Sequence, residues 1–548
     1  MSSAAVQPEV NVAMAPVRPD PNGIIVPRGH GDILITPSYA RLTEALAARP
    51  APAARWNFGV PVEEVRSVAR RETLAAAAAH AAEIEAPAPA NVAALPWVVT
   101  GHQVEFYHAG VWAKVVATDW LAKKAGAAAF DILVDHDVVE HLGFDVPEHR
   151  GGAPTRELIS FNADVPVTPT QYIAAPDAAA LRAFREAVRR WPAGRVDALD
   201  LFFDNLEKNG RGDYVAWLSA ARGALERALD INVLHVPFSR IVGGLAWRHF
   251  VAVWIQQAVA YSGCYNDCLA DYRRAQRIKN PSRPMPDLVR TATQVELPFW
   301  IFGAKEPRSR LVVRTGRSAH LFHNNERIDL TPVTQRQGWA AAEALGEILT
   351  RHGVDIRPRA LTLTMFIRMF ISDVFIHGIG GALYDQITDA FMHQQFSAHG
   401  AYGLVSAAWL LPLGDHTLPT GDLSALRWQW HHLQHNPQLA PDAAPGPEAA
   451  RLLARRLNLI EQLHTSLQNH RRDPAARRQR RIDYRALHEI NDTLNALRPR
   501  PLATIETQLN RLRALQRDQK IVNNREWFFA LHTMASLRDL VRRVRGAE

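Results

Sequence analysis

Cysteine is almost missing from the 548 residues: Cys264 and Cys268 are the only two. Two thiols cannot build a disulfide framework. No paired Cys/His set at finger spacing accompanies them, so they read as buried, idle thiols rather than half of a closed zinc site. Long apolar runs are also lacking, since nothing approaches the roughly 18 uncharged residues of a membrane span. The first 23 residues, MSSAAVQPEVNVAMAPVRPDPNG, hold prolines and acidic residues but no apolar core behind positive charge. They read as a loose tail rather than a secretion signal, and the expected location is the cytoplasm.

What is present is a globular composition, 47% hydrophobic and 22% charged, in a chain long enough for roughly two to four domains. The net charge of +8 permits an anionic ligand. It does not point to nucleic acid, because arginine is spread along the chain.

Early in the chain, SYARLTEALAAR reads as a helix capped by Ser38, and VEEVRSVARRETLAAAAAHAAEIEA as a second. The informative stretch begins at Trp97. WVVT is short, β-branched and apolar on both faces, as an interior parallel strand is; GVWAKVVATDWLAKKAG has helical spacing at Val111, Val115, Thr118 and Ala122 and stops at Gly126; FDILVD is a second buried strand. Strand, helix and strand make a βαβ unit, and ligands bind outside the carboxyl ends of such strands. Polar clusters sit at both ends: Thr100, Gly101, His102 and Gln103 after the first strand, Asp135, His136 and Asp137 after the second. They are expected to face one crevice.

Further on, NVLHVPFS reads as a strand and IVGGLAWRHFVAVWIQQAVAYSG as a helix. Residues 281–330 alternate in short pieces that suggest a small antiparallel insert. In IRPRALTLTMFIRMFISDVFIHGIGGALYDQITDAFM, a helix leads to the strand VFIH, the turn GIGG and a helix from about Ala382. A glycine turn opening a helix leaves free N–H groups that suit phosphate or carboxylate. After a proline-rich passage, leucine stripes follow at Leu453, Leu457, Ile460, Leu463 and Leu467; at Leu487, Ile490, Leu494 and Leu497; and at Ile505, Leu509, Leu512 and Leu515. They predict antiparallel helices of an arm, with RRDPAARRQRR as an exposed bend and a homodimer seam as a second use of the leucines. NREWFFALHTMASL is too aromatic for an arm tip and is expected to pack on the core. WQWHHLQH reads as a partly exposed helix face rather than a metal site.

The chain is accordingly expected to divide into a tail (1–23), a core in two parts (24–275 and 331–445) around a β-rich insert (276–330), a helical arm (446–520) and a C-terminal segment (521–548).

Individual side chains allow specific chemistry. His102 can donate to a phosphate or a reacting carboxylate, and otherwise is a turn histidine in water. Gln103 can orient a ligand oxygen, and Gly101 lets a ligand approach the backbone; both fit a capping turn as well. His136 and Asp137 form the strongest pair, since a carboxylate beside an imidazole fixes its tautomer, although Asp137 equally serves as a loop brace. Asp135 and Glu140 add acidic groups, one of which could take a divalent cation, and His136, Asp137, Glu140 and His141 can be combined as a ligand set, at spacings that match no firm ligand motif. Arg357 offers a two-point clamp for an anion or an ion pair. Gly378 and Gly380 shape the turn, and Tyr384 reads as packed more readily than catalytic.

TGHQ at Thr100–Gln103, DHD at Asp135–Asp137, RP at Arg357 and Pro358, and GIG at Gly378–Gly380 with Tyr384 together resemble the TGQQ, DHD, RP and GxGE-xx-Y segments of the bacillithiol-biosynthesis cysteine-adding enzyme family, in the same order along most of the chain. The resemblance implies an α/β fold with a Rossmann-like parallel-sheet core akin to class I nucleotidylyltransferases, insertions, and a C-terminal helical coiled-coil arm. It implies a ligase that joins the carboxyl group of cysteine to the amine of a glucosaminyl malate, with ATP or another nucleotide in activation. His102, His136 and Asp137 would then be catalytic, and Thr100, Gly101, Gln103, Arg357, Gly378, Gly380 and Tyr384 would bind substrate or nucleotide. This chain has His102 where that family has glutamine, and Gly381 where an acidic residue is common. Two other readings stand beside the ligase: a nucleotide or metabolite binder without turnover, and a scaffold whose six arginines between Arg471 and Arg481 meet nucleic acid or protein. No base-stacking aromatics accompany those arginines.

Overall fold

The computed structural model describes residues 17–20, 23–48, 55–88, 91–150, 153–208, 212–304, 306–314, 319–414, 422–439, 446–497 and 500–547. Most of the expected N-terminal tail therefore lies outside the described residues. The fold is mixed α/β, and the chain separates into two units: residues 1–148, 156–411 and 524–548, and residues 149–155 and 412–523.

In chain order the strands are β1 (Ile33–Thr36), β2 (Trp97–Gln103), β3 (Ala128–Val134), β4 (Gly143–Arg150), β5 (Ala153–Ser160), β6 (Leu234–Pro237), β7 (Gln294–Gly303), β8 (Ser309–Arg314), β9 (His320–His323), β10 (Glu326–Asp329), β11 (Val354–Pro358), β12 (Val374–His377) and β13 (Ala401–Ala407). The larger sheet of the first unit has the order β1-β13-β12-β2-β3-β6. Its β13, β12, β2, β3 and β6 run parallel, and β1 closes one edge antiparallel to β13. Trp97, Val98 and Val99 are wholly buried on alternating faces, which is why this strand shows no polar alternation in sequence. The chain moves from β2 to β3 in one direction and from β12 to β13 in the other, so the strand order reverses between β2 and β12. That reversal opens a crevice beyond the carboxyl ends of the strands.

The helix Ala109–Ala125 crosses from β2 to β3 and ends on Gly126, whose φ of 62° is the left-handed conformation glycine tolerates. It begins on a cap made by His108, whose Nδ1 accepts from the Gly110 N–H at 3.0 Å. β2 itself runs through Gln103, so His102 lies on the strand end rather than opening the helix. Similarly, the helix Ile379–Phe396 is capped at Gly378 and takes the remaining GIGG residues as its first turn. The expected single helix from Ile241 is broken by Gln257 into Leu245–Gln256 and Ala258–Ala275.

A second sheet, β10-β9-β8-β7-β11, is antiparallel throughout. Besides the strands expected within 276–330 it takes in β11, so Arg357 and Pro358 stand in a strand opposite Trp300 and Phe299. The C-terminal residues Trp527, Phe528 and Phe529 are buried, and Phe529 stacks on Trp112 with centroids 5.0 Å apart.

The second unit contains the helices Leu423–His435, Pro447–Asn469, Pro474–Leu497 and Arg500–Val522. Its inward stripe differs from the expected one: Leu457 and Leu467 are exposed, and the buried cluster is Ala449, Ile490 and Leu494 with Leu452, Leu453 and Leu459 against it. Arg456 occupies an inward position because its Nε donates to Asn491 at 2.7 Å and its guanidinium also donates to the His435 carbonyl. The arginines from Arg477 onward are helical, which confines the expected bend to the residues before Pro474. Among the described residues, no helix is long and apolar enough to cross a membrane.

Candidate functional site

Beyond the carboxyl ends of β2, β3 and β12 lies a cavity of 640 Å³, wholly within the first unit. It brings together Gly101, His102, Gln103, His136, Asp137, Gly378, Gly380 and Tyr384. Thr100 and Arg357 are not among its walls. Thr100 is buried, and its hydroxyl donates to the Ile376 carbonyl at 2.8 Å, tying β2 to β12. Arg357 is buried behind the wall, bonded to Asp355 at 3.0 Å and packed over Phe302.

His136 and Asp137 do not pair with each other. Burial, with the nearby Arg357 guanidinium, pushes the His136 imidazole down to about 3, so it is neutral, and its buried Nδ1 has no partner among the described residues. Asp137 is bound instead by Arg308, by the Gln103 amide at 2.9 Å and by the Val138 N–H. Burial pushes its carboxyl group upward, but the Arg308 guanidinium and these hydrogen bonds outweigh that and hold it below the ordinary aspartate range. Gln103 thus braces Asp137. His102 sits edge-on to Tyr107 at the rim; burial and the Lys114 ammonium lower it to about 3.

Lys114 projects from the apolar face of Ala109–Ala125. Its ammonium is buried and donates to the Gly101 carbonyl at 2.8 Å, and burial pulls it down to about 8 despite the Asp131 carboxylate. Arg308 and Arg359 lie over Trp300 at 5.0 and 4.9 Å, and Arg525 completes the cationic lining. The start of Ile379–Phe396 adds N–H groups, since Gly378 caps it without a side chain.

Two glycines of that turn differ. A Cβ on Gly380 would meet nothing within 4 Å, whereas one on Gly381 would lie 2.7 Å from the Nδ1 of His377. His377 ends β12; its Nε2 is 2.9 Å from Asp385, which also accepts from Arg368 and from Thr364 at 2.6 Å each. Burial lowers its pKa, with Asp385 opposing.

Sequence reading did not single out Lys114, His108, Arg308, Arg359 or His377. Lys114 carried a signal, a lysine three residues after Val111 on the apolar stripe. His377 carried one too, being an imidazole at a strand end like those after the other two strands. Arg308 and Arg359 carried none.

The candidate cation ligands do not converge. Asp135 accepts from Ser239, and His141 bonds to the Gly143 carbonyl at 2.8 Å. Among the described residues no group of three or more His, Cys, Asp or Glu side chains could hold a metal ion. Cys264 and Cys268 are buried thiols that form no disulfide, and Cys264 donates to the Gln394 amide oxygen at 3.2 Å.

A second cavity of 640 Å³ opens near the amino ends of β2 and β12, but its Arg66 and Arg70 are both spent on Asp373, at 2.6 and 3.0 Å. No protein-family model matches the chain, and no curated protein matches it.

Proposed function

We propose that this chain is a carbon–nitrogen ligase of the cysteine-adding type, joining the carboxyl group of cysteine to the amine of a glucosaminyl malate or a related small anionic amine. The observation that carries this reading is the buried Lys114 ammonium on the cavity wall, with one acceptor among the described residues, the Gly101 carbonyl, and hydrogens to spare. A buried cation with open donors favours an anionic partner. Arg525 adds positive charge, whereas Arg308 is paired with Asp137, the one lining carboxylate among the described residues, and Arg359 with Glu296 at 2.6 Å. The free N–H groups at the start of Ile379–Phe396 suit oxygen that gains charge during acyl transfer.

The same donors fit the phosphates of ATP or another nucleotide, with Lys114 and the helix start as the holding groups. A nucleotide bound there would supply the energy for activating the carboxyl group. On this reading the parallel sheet is a Rossmann-like core, the helices of the second unit are its coiled-coil arm, and the protein works in the cytoplasm.

A non-catalytic metabolite binder is the second reading. It is favoured by the imidazoles of His102 and His136, both lowered to about 3 and therefore weak bases near neutral pH. The two readings separate when the protein is incubated with cysteine, glucosaminyl malate and ATP and the products are weighed by mass spectrometry. The ligase reading expects a cysteine conjugate that disappears with Lys114→Met. Tight binding of glucosaminyl malate with no conjugate from any nucleoside triphosphate would overturn it in favour of the binder.

A further inference from the structure

Four imidazoles line the cavity, and burial lowers the pKa of each, so geometry is what distinguishes them. His102 bonds through Nδ1 to the Gln103 carbonyl at 3.3 Å, and the buried Nδ1 of His136 meets no partner among the described residues. His108 spends its Nδ1 on the Gly110 N–H as a helix cap. His377 alone among them is hydrogen-bonded to a carboxylate, with Nε2 at 2.9 Å from Asp385. Because an ionised carboxylate only accepts, Nε2 carries the proton and Nδ1 is left with its lone pair. No described residue hydrogen-bonds to that Nδ1, which faces the first turn of Ile379–Phe396 in the cavity wall. The carboxylate is itself fixed from two other elements, by Arg368 and by Thr364.

We infer that His377 is the proton acceptor of this site and that Asp385 is its positioning residue. The inference rests on the amide-forming reading and deepens it. An amine reaches the protein as an ammonium ion without a lone pair. One proton passes from the ligand nitrogen to Nδ1, leaving an imidazolium whose Nε2–H remains on Asp385 and a neutral amine whose electron pair would attack a carboxyl carbon activated by phosphorylation or nucleotidylation, the C–O bond to that phosphoryl group breaking as the C–N bond forms and the phosphate or nucleotide leaving. Facing His377 are Asp385 from the helix Ile379–Phe396, with Arg368 and Thr364 behind that carboxylate, Lys114 from Ala109–Ala125, and the Tyr402 ring from β13. Burial opposes the imidazolium most, Arg368 and Lys114 oppose it too, and Asp385 favours it. An anionic group bound against Lys114 reduces that opposition, so charge on the substrate and basicity at Nδ1 are linked.

The test uses full-length protein with ¹⁵N-labelled histidine, with His377 assigned by comparison with His377→Gln. The expected NMR signature is the Nε2–H tautomer, with an Nδ1 resonance that moves when glucosamine 6-phosphate, an anionic amine, is added. An Nδ1–H tautomer, or a resonance indifferent to saturating probe, would overturn the inference whether or not product is formed. Product assays form the second arm. Asp385→Asn should lower turnover about 10²-fold, with probe affinity within about twofold of wild type and the acidic limb of the pH profile moved to lower pH. An unchanged profile in a folded Asp385→Asn protein would also overturn it. Should that variant not fold, His377→Gln carries the turnover test, and wild-type turnover surviving in it is fatal. Absence of product from wild type strikes the ligase reading itself and leaves His377 to the NMR result.

Discussion

Asp137 is held by Arg308, which lies 171 residues further along the chain immediately before β8 of the antiparallel sheet, and not by its neighbour His136. The same guanidinium covers one face of Trp300 while Arg359 covers Trp300 as well. One ion pair therefore joins the loop after β3 to the second sheet and shapes the cavity rim. Arg308→Ala should cost about 1–2 kcal/mol, the partly exposed setting keeping it below the value for a fully buried pair. Urea denaturation measures it. A change below the error of the method would show that the pair is ornamental.

Lys114 and Thr100 should behave oppositely towards anions. With inorganic phosphate as probe in isothermal titration calorimetry, Lys114→Met should weaken binding by about tenfold or more, the loss of a charge-assisted hydrogen bond. Because burial brings the ammonium down to about 8, wild-type affinity should fall as pH rises through that value. Thr100→Val removes the bond to the Ile376 carbonyl and should lower stability by about 1 kcal/mol without altering phosphate affinity.

The glycine turn offers a paired substitution. Gly380→Ala meets open space in the first turn of a helix and should be neutral or stabilising by up to about 1 kcal/mol. At Gly381 the new methyl group collides with His377, so Gly381→Ala should destabilise and displace the imidazole. Equal melting temperatures for the two variants would contradict the placement of His377.

Acid should unfold this protein well before its carboxylates are neutralised. His80, His136 and His532 are each buried, and burial takes each down to about 3. Below the ordinary histidine pKa near 6.5 the unfolded chain takes up protons that the folded one refuses. Stability therefore falls as pH drops from about 6.5 towards 3, by on the order of several kcal/mol in all. Urea midpoints at successive pH values test this, and His532→Gln should flatten the slope. A flat profile between pH 6.5 and 4.5 would refute it.

The βαβ unit was legible because a doubly buried parallel strand loses its polar alternation and a helix with Gly126 at its end announces its length. Two side chains show the limit of such reading. Arg357 read equally as a ligand clamp and as an ion-pair partner, and it is buried within β11 on Asp355; Leu457 read as a seam residue, yet it faces solvent while Arg456 turns inward. Residue type predicts preference for an environment, but a partner such as Asn491, 35 residues from Arg456, can make an unlikely one satisfactory, and such partners are set by the packing of distant segments.

The sequence by itself determined the strand, helix and strand from Trp97 to Val134, the strands β6 and β12, and that imidazoles stand at the ends of β2, β3 and β12, since these follow from local periodicity and chain order. Only the tertiary structure decided the partners: Arg308 for Asp137, Asp385 for His377, Gly101 for the Lys114 ammonium. Periodicity acts over a few residues, whereas the charge environment that makes an imidazole a base or a bystander is assembled across several elements as they pack.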